Sequence, residues 1–353
     1  MGISPCLVTG FLLAQKEAEM VSSVTGKPFS SCLRHGRLAL FAGGAAVALT
    51  VLTTLPAAAR AEALPIIPVG TAPLGMAVNP MTNALYVPNA GDNTVSVIDR
   101  WKEKVIATIG VGTAPHDVAV DWVTNRAFVA NVASNTVSVI NGRTNAVIAT
   151  IGVGTNPAGL AVNWQTDTVY VANFGDTVLS VISGRTDKVI ASIPVGTSTS
   201  AVAIDQETDT VYAADDAANT VSVINGRTNK VTGTIAVGNA PFEVAVNPMN
   251  DTVYASNHDG NTVSVINGHT DKVTATIPVG NSPWQVTVSP LSRAVYVANF
   301  DSNTVSVIDA HSNKVIATVP VGTNPFGVTV SPWNGDVFVS NAGANTVQVI
   351  RGF

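Results

Sequence analysis

Apolar and polar residues alternate in short bursts along most of this chain. Between Thr113 and Gly152 four bursts follow one another: HDVAVD, RAFVAN, NTVSVI and AVIATIG. A period of two marks strands rather than a helix, and the Val, Ile, Thr and aromatic residues in them suit a pleated, packed surface. Turn formers separate the bursts, with Asp121 to Asn125 before the second, Val132 to Asn135 before the third and Asn141-Gly142 before the fourth. Asn-Gly returns at Asn225 and Asn267. Both residues tolerate positive φ, so a tight reversal and antiparallel neighbours are expected.

The whole unit then repeats. An anchor tetrapeptide stands at Tyr86, Phe128, Tyr170, Tyr212, Tyr254, Tyr296 and Phe338, each 42 residues from the last, and a Val-Gly pair keeps the same interval from Val69 to Val321. Seven such units cannot bury their faces singly and must stack on one another. Four antiparallel strands in about forty residues match a propeller blade among periodic architectures. The seventh copy stops after its third strand at Phe353, and Ala61–Gly70 falls in register with Asn313–Gly322, six periods away. The expectation is an all-β, seven-bladed β-propeller over residues 62–353, its last blade closed by the N-terminal strand, which leaves no open sheet edge in the ring.

Residues 1–61 stand outside the repeat. Arg34 and Arg37 precede an apolar run from Leu38 to Pro56, followed by AAARAEA. A basic flank, an apolar core and small residues at an A-x-A site are expected to form a secretory signal, cut after Ala61 or Ala63; an uncleaved anchor is the alternative. Met20 is a candidate true start. Both cysteines, Cys6 and Cys32, precede the cut, so the mature domain has neither thiol nor disulfide. No cofactor is expected. The chain has 18 basic and 23 acidic residues, of which residues 1–61 hold five and two, leaving 13 against 21. That balance, with no basic stripe, argues against nucleic acid as a partner and leaves an extracellular or envelope glycan, peptide or protein.

The motifs YVAN and NTVSVI, followed by a strand of the NKVIATI type and Val-Gly-Thr-x-Pro, resemble the YVTN β-propeller repeat family over Leu64 to Phe353. The resemblance implies a seven-bladed ring exported to the periplasm, cell surface or medium, as in surface-layer proteins, and no single activity. The chain departs from the pattern at Pro88, at the TVLSVI beginning at Thr177, at Asp215 in place of the anchor asparagine, and at Thr199 in place of the proline that leads into each blade. Thr199 is expected to loosen the approach to its blade.

Function is sought where nearly identical blades differ. After each Val-Gly-x-x-Pro turn come Leu74-Gly75, His116-Asp117, Ala158-Gly159, Ser200-Ala201, Phe242-Glu243, Trp284-Gln285 and Phe326-Gly327, expected in loops at one mouth of the central channel. Nearby loops carry Phe174 and Asp176, Asp215 and Asp216, His258 and Asp259, and Phe300 and Asp301. His116, Asp117 and Glu243 are either solvated loop residues or, if they converge, ligands of a divalent metal that acidifies a water for lactone hydrolysis or elimination. Phe242, Trp284 and Phe326 form an aromatic arc that either stacks a ligand or plugs the channel. Asn93, Asn135, Asn219, Asn261, Asn303 and Asn345 are turn residues, and His269 and His311 belong to the opposite face. No C-x-x-C-H, G-x-S-x-G, Walker or H-E-x-x-H motif occurs, so no catalytic residue is assigned. The leading expectation is a binding or scaffold module, with a metal-dependent lactonase or lyase and a purely structural envelope protein as alternatives.

Overall fold

A computed structural model describes residues 63–351, so the apolar run, both cysteines and the cut after Ala61 lie outside the described residues, while the alternative cut after Ala63 falls within the first described strand. The described chain forms seven sheets of four antiparallel strands. In blade 2 the strands run Pro115–Asp121, Arg126–Asn131, Thr136–Asn141 and Ala146–Gly152, from the innermost outward. Blade 7 takes three strands from the C-terminal end and its outermost from Ala63–Pro68, which pairs antiparallel with Thr346–Ile350. The fold is a seven-bladed β-propeller.

Alternation sets the burial. The second and third strands are covered on both sides, as in RAFVAN and TVSVIN, whereas the outermost strands alternate exposed and covered positions. Each blade therefore has two apolar faces, and the core is split into seven clusters, each shared by neighbouring blades. The closing cluster joins Ile67, Phe338, Val347 and Val349 of blade 7 to Met76, Leu85, Val87 and Ile98 of blade 1.

Polar groups stitch the rest. The buried anchor asparagine donates from Nδ2 to a serine seven residues on, as Asn131 does to Ser138 Oγ at 3.0 Å. The turn asparagines have left-handed backbones, which this residue type adopts with little strain, and each Oδ1 reaches the turn between blades, as Asn135 does to Asn156 N at 2.9 Å. Asn345 does the same for Ala72 N across the closure, at 2.9 Å.

Two expectations need correction. The Asn-Gly pairs do not make a two-residue reversal: Asn141 Oδ1 accepts from Arg143 N and Thr144 N, and the left-handed residue is Asn145. Gly142 is required by proximity, since a Cβ there would lie 2.3 Å from Asn125 Oδ1. Thr199 does not loosen blade 4. It is fully buried, and its hydroxyl donates at 2.8 Å to Asp215 Oδ1, so the two departures in that blade are partners. Pro88, by contrast, does disturb blade 1. It has no N–H to offer, and the innermost strand there shrinks to Ala77–Asn79 with an isolated bridge between Pro73 and Asn89.

A further substitution is compensated. Where Phe128 lacks the hydroxyl by which Tyr170 reaches Gly226 O, Arg126 lies over the Phe128 ring at 5.3 Å and donates to Gly184 O and Asp187. Arg100 stands 5.9 Å over the Phe338 ring in the same way.

Candidate functional site: the acidic aromatic mouth of the channel

The first and second strands of each blade are joined on one face of the ring, as are the third and fourth; the other two kinds of connection lie on the opposite face. That opposite face carries the candidate mouth. Its inner residues are not in loops, as the sequence suggested, but within the innermost strands just after the leading proline: His116 and Asp117 in Pro115–Asp121, Phe242 and Glu243 in Pro241–Asn247, Trp284 and Gln285 in Pro283–Ser289. The register shifts at this point, so His116, Phe242, Trp284 and Gln285 lie in β-bulges between paired residues, and Asp117 and Glu243 are the first residues paired again after them.

The rings gather into one cluster. Trp284 is its centre, 4.3 Å from Phe242, 5.0 Å from Phe326, 4.7 Å from His258 and 5.5 Å from Phe300, measured between ring centroids. His116 meets the Phe326 ring edge-on at 5.2 Å. Several of these pairs are edge-to-face, the arrangement that the positive edge and negative face of aromatic rings favour. The packing alternative weighed for this arc is thus realised, with Phe326 only 5% exposed, while Phe242 and Trp284 keep part of their surface open. Two ring nitrogens within the cluster, His116 Nδ1 and Trp284 Nε1, are buried without a hydrogen-bond partner. Burial pulls the His116 imidazole down to about 4, so it is neutral at physiological pH.

The carboxyls lie beside this cluster. Asp117 Oδ2 accepts from Leu160 N at 3.3 Å, in the next blade, and the carboxyl occupies space left by Gly75, where a Cβ would come within 2.2 Å of Asp117 Oδ1. Glu243 accepts from Val244 N at 3.1 Å and from Gln285 Nε2 at 3.4 Å, while Gln285 Oε1 accepts from Val328 N at 2.8 Å. Both acids are half-buried. Burial pushes Asp117 up to about 7, against the pull of its backbone donors, and burial followed by repulsion from Asp117 holds Glu243 well above the usual carboxylate range. The expectation of solvated loop residues is therefore wrong for both.

The metal alternative also fails on geometry. Among the described residues no three His, Cys, Asp or Glu side chains gather closely enough to hold an ion, so His116, Asp117 and Glu243 do not converge. His116 is taken up by the aromatic cluster instead. Of the neighbouring loop residues, Phe300 and His258 join the cluster; His258 Nδ1 lies 2.7 Å from Asp259 Oδ1. Asp215 points into its own blade. His269, on the opposite face as expected, lies 3.2 Å from Asp251 through Nε2.

None of the protein-family models matches this chain, and no curated protein matches it. Among solved structures, a chain of Kuenenia stuttgartiensis hydrazine synthase is similar with a TM-score of 0.72 and 20% identity, over 80% of this chain and 97% of that one. The likeness is one of fold. Altogether 1569 chains of solved structures match, so the ring alone selects no activity.

Proposed function

We propose that this chain is an exported β-propeller of the YVTN type that serves as a binding module at the cell exterior or in the periplasm, and that it recognises a ligand bearing a protonated amine at the acidic aromatic mouth. One observation carries the reading: at the inner position, where the blades differ from one another, blades 2, 5, 6 and 7 bring rings and carboxyls together. Eight acidic side chains and no Lys or Arg lie on this face among the described residues. Aromatic faces attract cations, and two carboxyls that repel one another in an enclosed channel are relieved by an arriving positive charge. The unpartnered Trp284 Nε1 offers a donor to an acceptor on the same ligand, as an amino sugar or a basic peptide would present. Export rests on the leader sequence, and the YVTN assignment on the repeat motifs.

Calorimetric titration of the exported protein with glucosamine, N-acetylglucosamine, and short lysine-rich and glutamate-rich peptides tests this. Binding of the amines, lost in Trp284→Ala and weakened in Glu243→Gln, is the expected result. Binding confined to neutral or acidic ligands, or binding indifferent to both substitutions, would refute it.

A further inference from the structure

The face opposite the mouth has a different chemistry. Of the 18 Lys and Arg in the chain five precede residue 62, and all 13 others sit in the connections between first and second or third and fourth strands, or at strand ends beside them. Twelve acidic residues share that face, against eight acids and no Lys or Arg on the other. The molecule is therefore polar along the channel axis, one end uniformly negative and the other close to balance.

The same face also shows most of the large apolar side chains that the ring leaves uncovered away from its outermost strands. The turn after each innermost strand presents one residue at the same position of the repeat; in blades 1 to 5 an Asn or Asp two residues earlier holds its backbone N–H, as Asn79 does for Met81 at 3.0 Å and Asn247 for Met249 at 3.0 Å, while blades 6 and 7 have Ser289 and Ser331 there. At this position stand Met81, Val123, Met249, Leu291 and Trp333, which are 56–75% exposed. They belong to blades 1, 2, 5, 6 and 7, an unbroken arc; only blades 3 and 4 carry the polar Gln165 and Glu207. Trp101, 75% exposed and next to Lys102, adds to the arc in the last turn of blade 1. Inside the arc a cavity of about 390 Å³ opens at this end of the channel, walled by Val118, Val120, Val288 and Val330 with Trp122 and Leu291 at its rim. Scattered exposed apolar residues need no explanation, but a contiguous arc around an apolar cavity marks an interaction site.

The occupant is indicated by where the chain enters. Ala63 begins the outermost strand of blade 7 opposite Ile350, which places the incoming chain on this face and in the middle of the arc. Six residues, 57–62, separate it from the apolar run that ends at Pro56, a reach of at most about 20 Å. The apolar run is therefore joined to the ring on this face and not on the acidic one. Tryptophan and methionine are side chains suited to lie at the headgroup level, Lys102 follows Trp101, and this face, unlike the other, carries no excess of acid to repel an anionic lipid surface. We propose that this face is a docking surface that rests on an anionic phospholipid bilayer, leaving the acidic mouth open to the aqueous side.

The full chain is assayed for sedimentation with vesicles of phosphatidylcholine alone and of phosphatidylcholine with phosphatidylglycerol at three to one, and for quenching by lipids brominated on the acyl chain. Residues 1–61 contain no tryptophan, so quenching reports the ring and not the leader. Expected results are stronger binding to the anionic vesicles, weakened by salt, and quenching that falls sharply in a Trp101→Phe, Trp333→Phe variant. A Met81→Ser, Met249→Ser, Leu291→Ser, Trp333→Ser variant should partition at least tenfold more weakly while its unfolding midpoint stays within a few degrees. Vesicle binding without quenching, equal partition of the two forms, or a stable dimer that buries the arc would overturn the proposal. The mouth is untouched by these substitutions, so loss of vesicle binding with amine binding retained separates this inference from the proposed function.

Discussion

Blade 4 offers the sharpest test of how this ring tolerates change. Elsewhere a proline leads into the innermost strand and a buried asparagine anchors the second; here Thr199 and Asp215 stand in their places and share a 2.8 Å hydrogen bond. Ser222 Oγ donates to the other carboxylate oxygen at 2.6 Å, and both Thr199 and Asp215 are almost wholly buried. Burial pushes the Asp215 carboxyl up while the two hydroxyls hold it down. Thr199→Val removes one hydroxyl with little change of shape. A hydrogen bond to a charged group contributes about 1.5–3 kcal/mol, so the substitution should cost about 2 kcal/mol. For a domain of this size that is about 4 °C in Tm. Asp215→Asn restores the group found in the other six blades and should be nearly neutral, its amide donating to Ser222 and its carbonyl accepting from Thr199. In that background Thr199→Val loses only a neutral bond, and the cost falls to about 1 kcal/mol. Urea unfolding of the four proteins closes the cycle, with a coupling energy of about 1 kcal/mol expected. Additivity within the error of the measurement, or a neutral Thr199→Val, would show that the two departures arose independently.

The acid pair makes stability depend on pH. Asp117 and Glu243 bind protons more tightly folded than unfolded, so their contribution is fully present below about pH 4 and is lost as pH rises, through about 7 for Asp117. Asp117→Asn should therefore raise the unfolding free energy measured in urea at pH 8, by on the order of 1–2 kcal/mol, and leave it little changed at pH 4; parallel profiles from pH 4 to 8 would contradict this. Arg126→Met strips the donors from Gly184 O and Asp187 and should cost about 2–3 kcal/mol, and adding Phe128→Tyr should return about 1 of these by restoring the hydroxyl, as read from thermal midpoints. Deleting residues 1–68 removes the outermost strand of blade 7 and Ile67 from the closing cluster; the expected outcome is a lower unfolding midpoint and faster amide exchange in Thr346–Ile350, and unchanged exchange there would mean that the strand does not close the ring.

Fold and site differed in how far they could be read ahead. The architecture was legible because the alternation and the 42-residue interval act together: a one-residue slip in any strand would turn Tyr170 or Val181 outward, so the repeat specifies register as well as count. The closing strand was legible for the same reason. Turn chemistry was less so, since Asn141-Gly142 suits a two-residue reversal locally and the longer turn is decided by the approach of Asn125 in the same blade. At the mouth, the positions that matter were found by their departure from the repeat, but enclosure was not visible. Nothing local to His116 or Asp117 tells that other blades bring Phe326, Leu160 and Gly75 against them. Thr199 with Asp215, and Arg126 with Phe128, were missed as pairs. A signal existed in each case, a coincident departure of two residues within one repeat, and only contact geometry showed that they compensate.

The two halves of blade 7 are made at opposite times. Ala63–Pro68 leaves the ribosome first among the described strands, and Thr346–Ile350, against which it docks, leaves last. Six blades can assemble on their immediate predecessors as they emerge, each covering one oily flank and offering another. The leading strand meanwhile waits without a companion, and the circle is completed only by a contact spanning nearly the whole polypeptide. Such a clasp adds little to early folding and much to holding the finished ring shut.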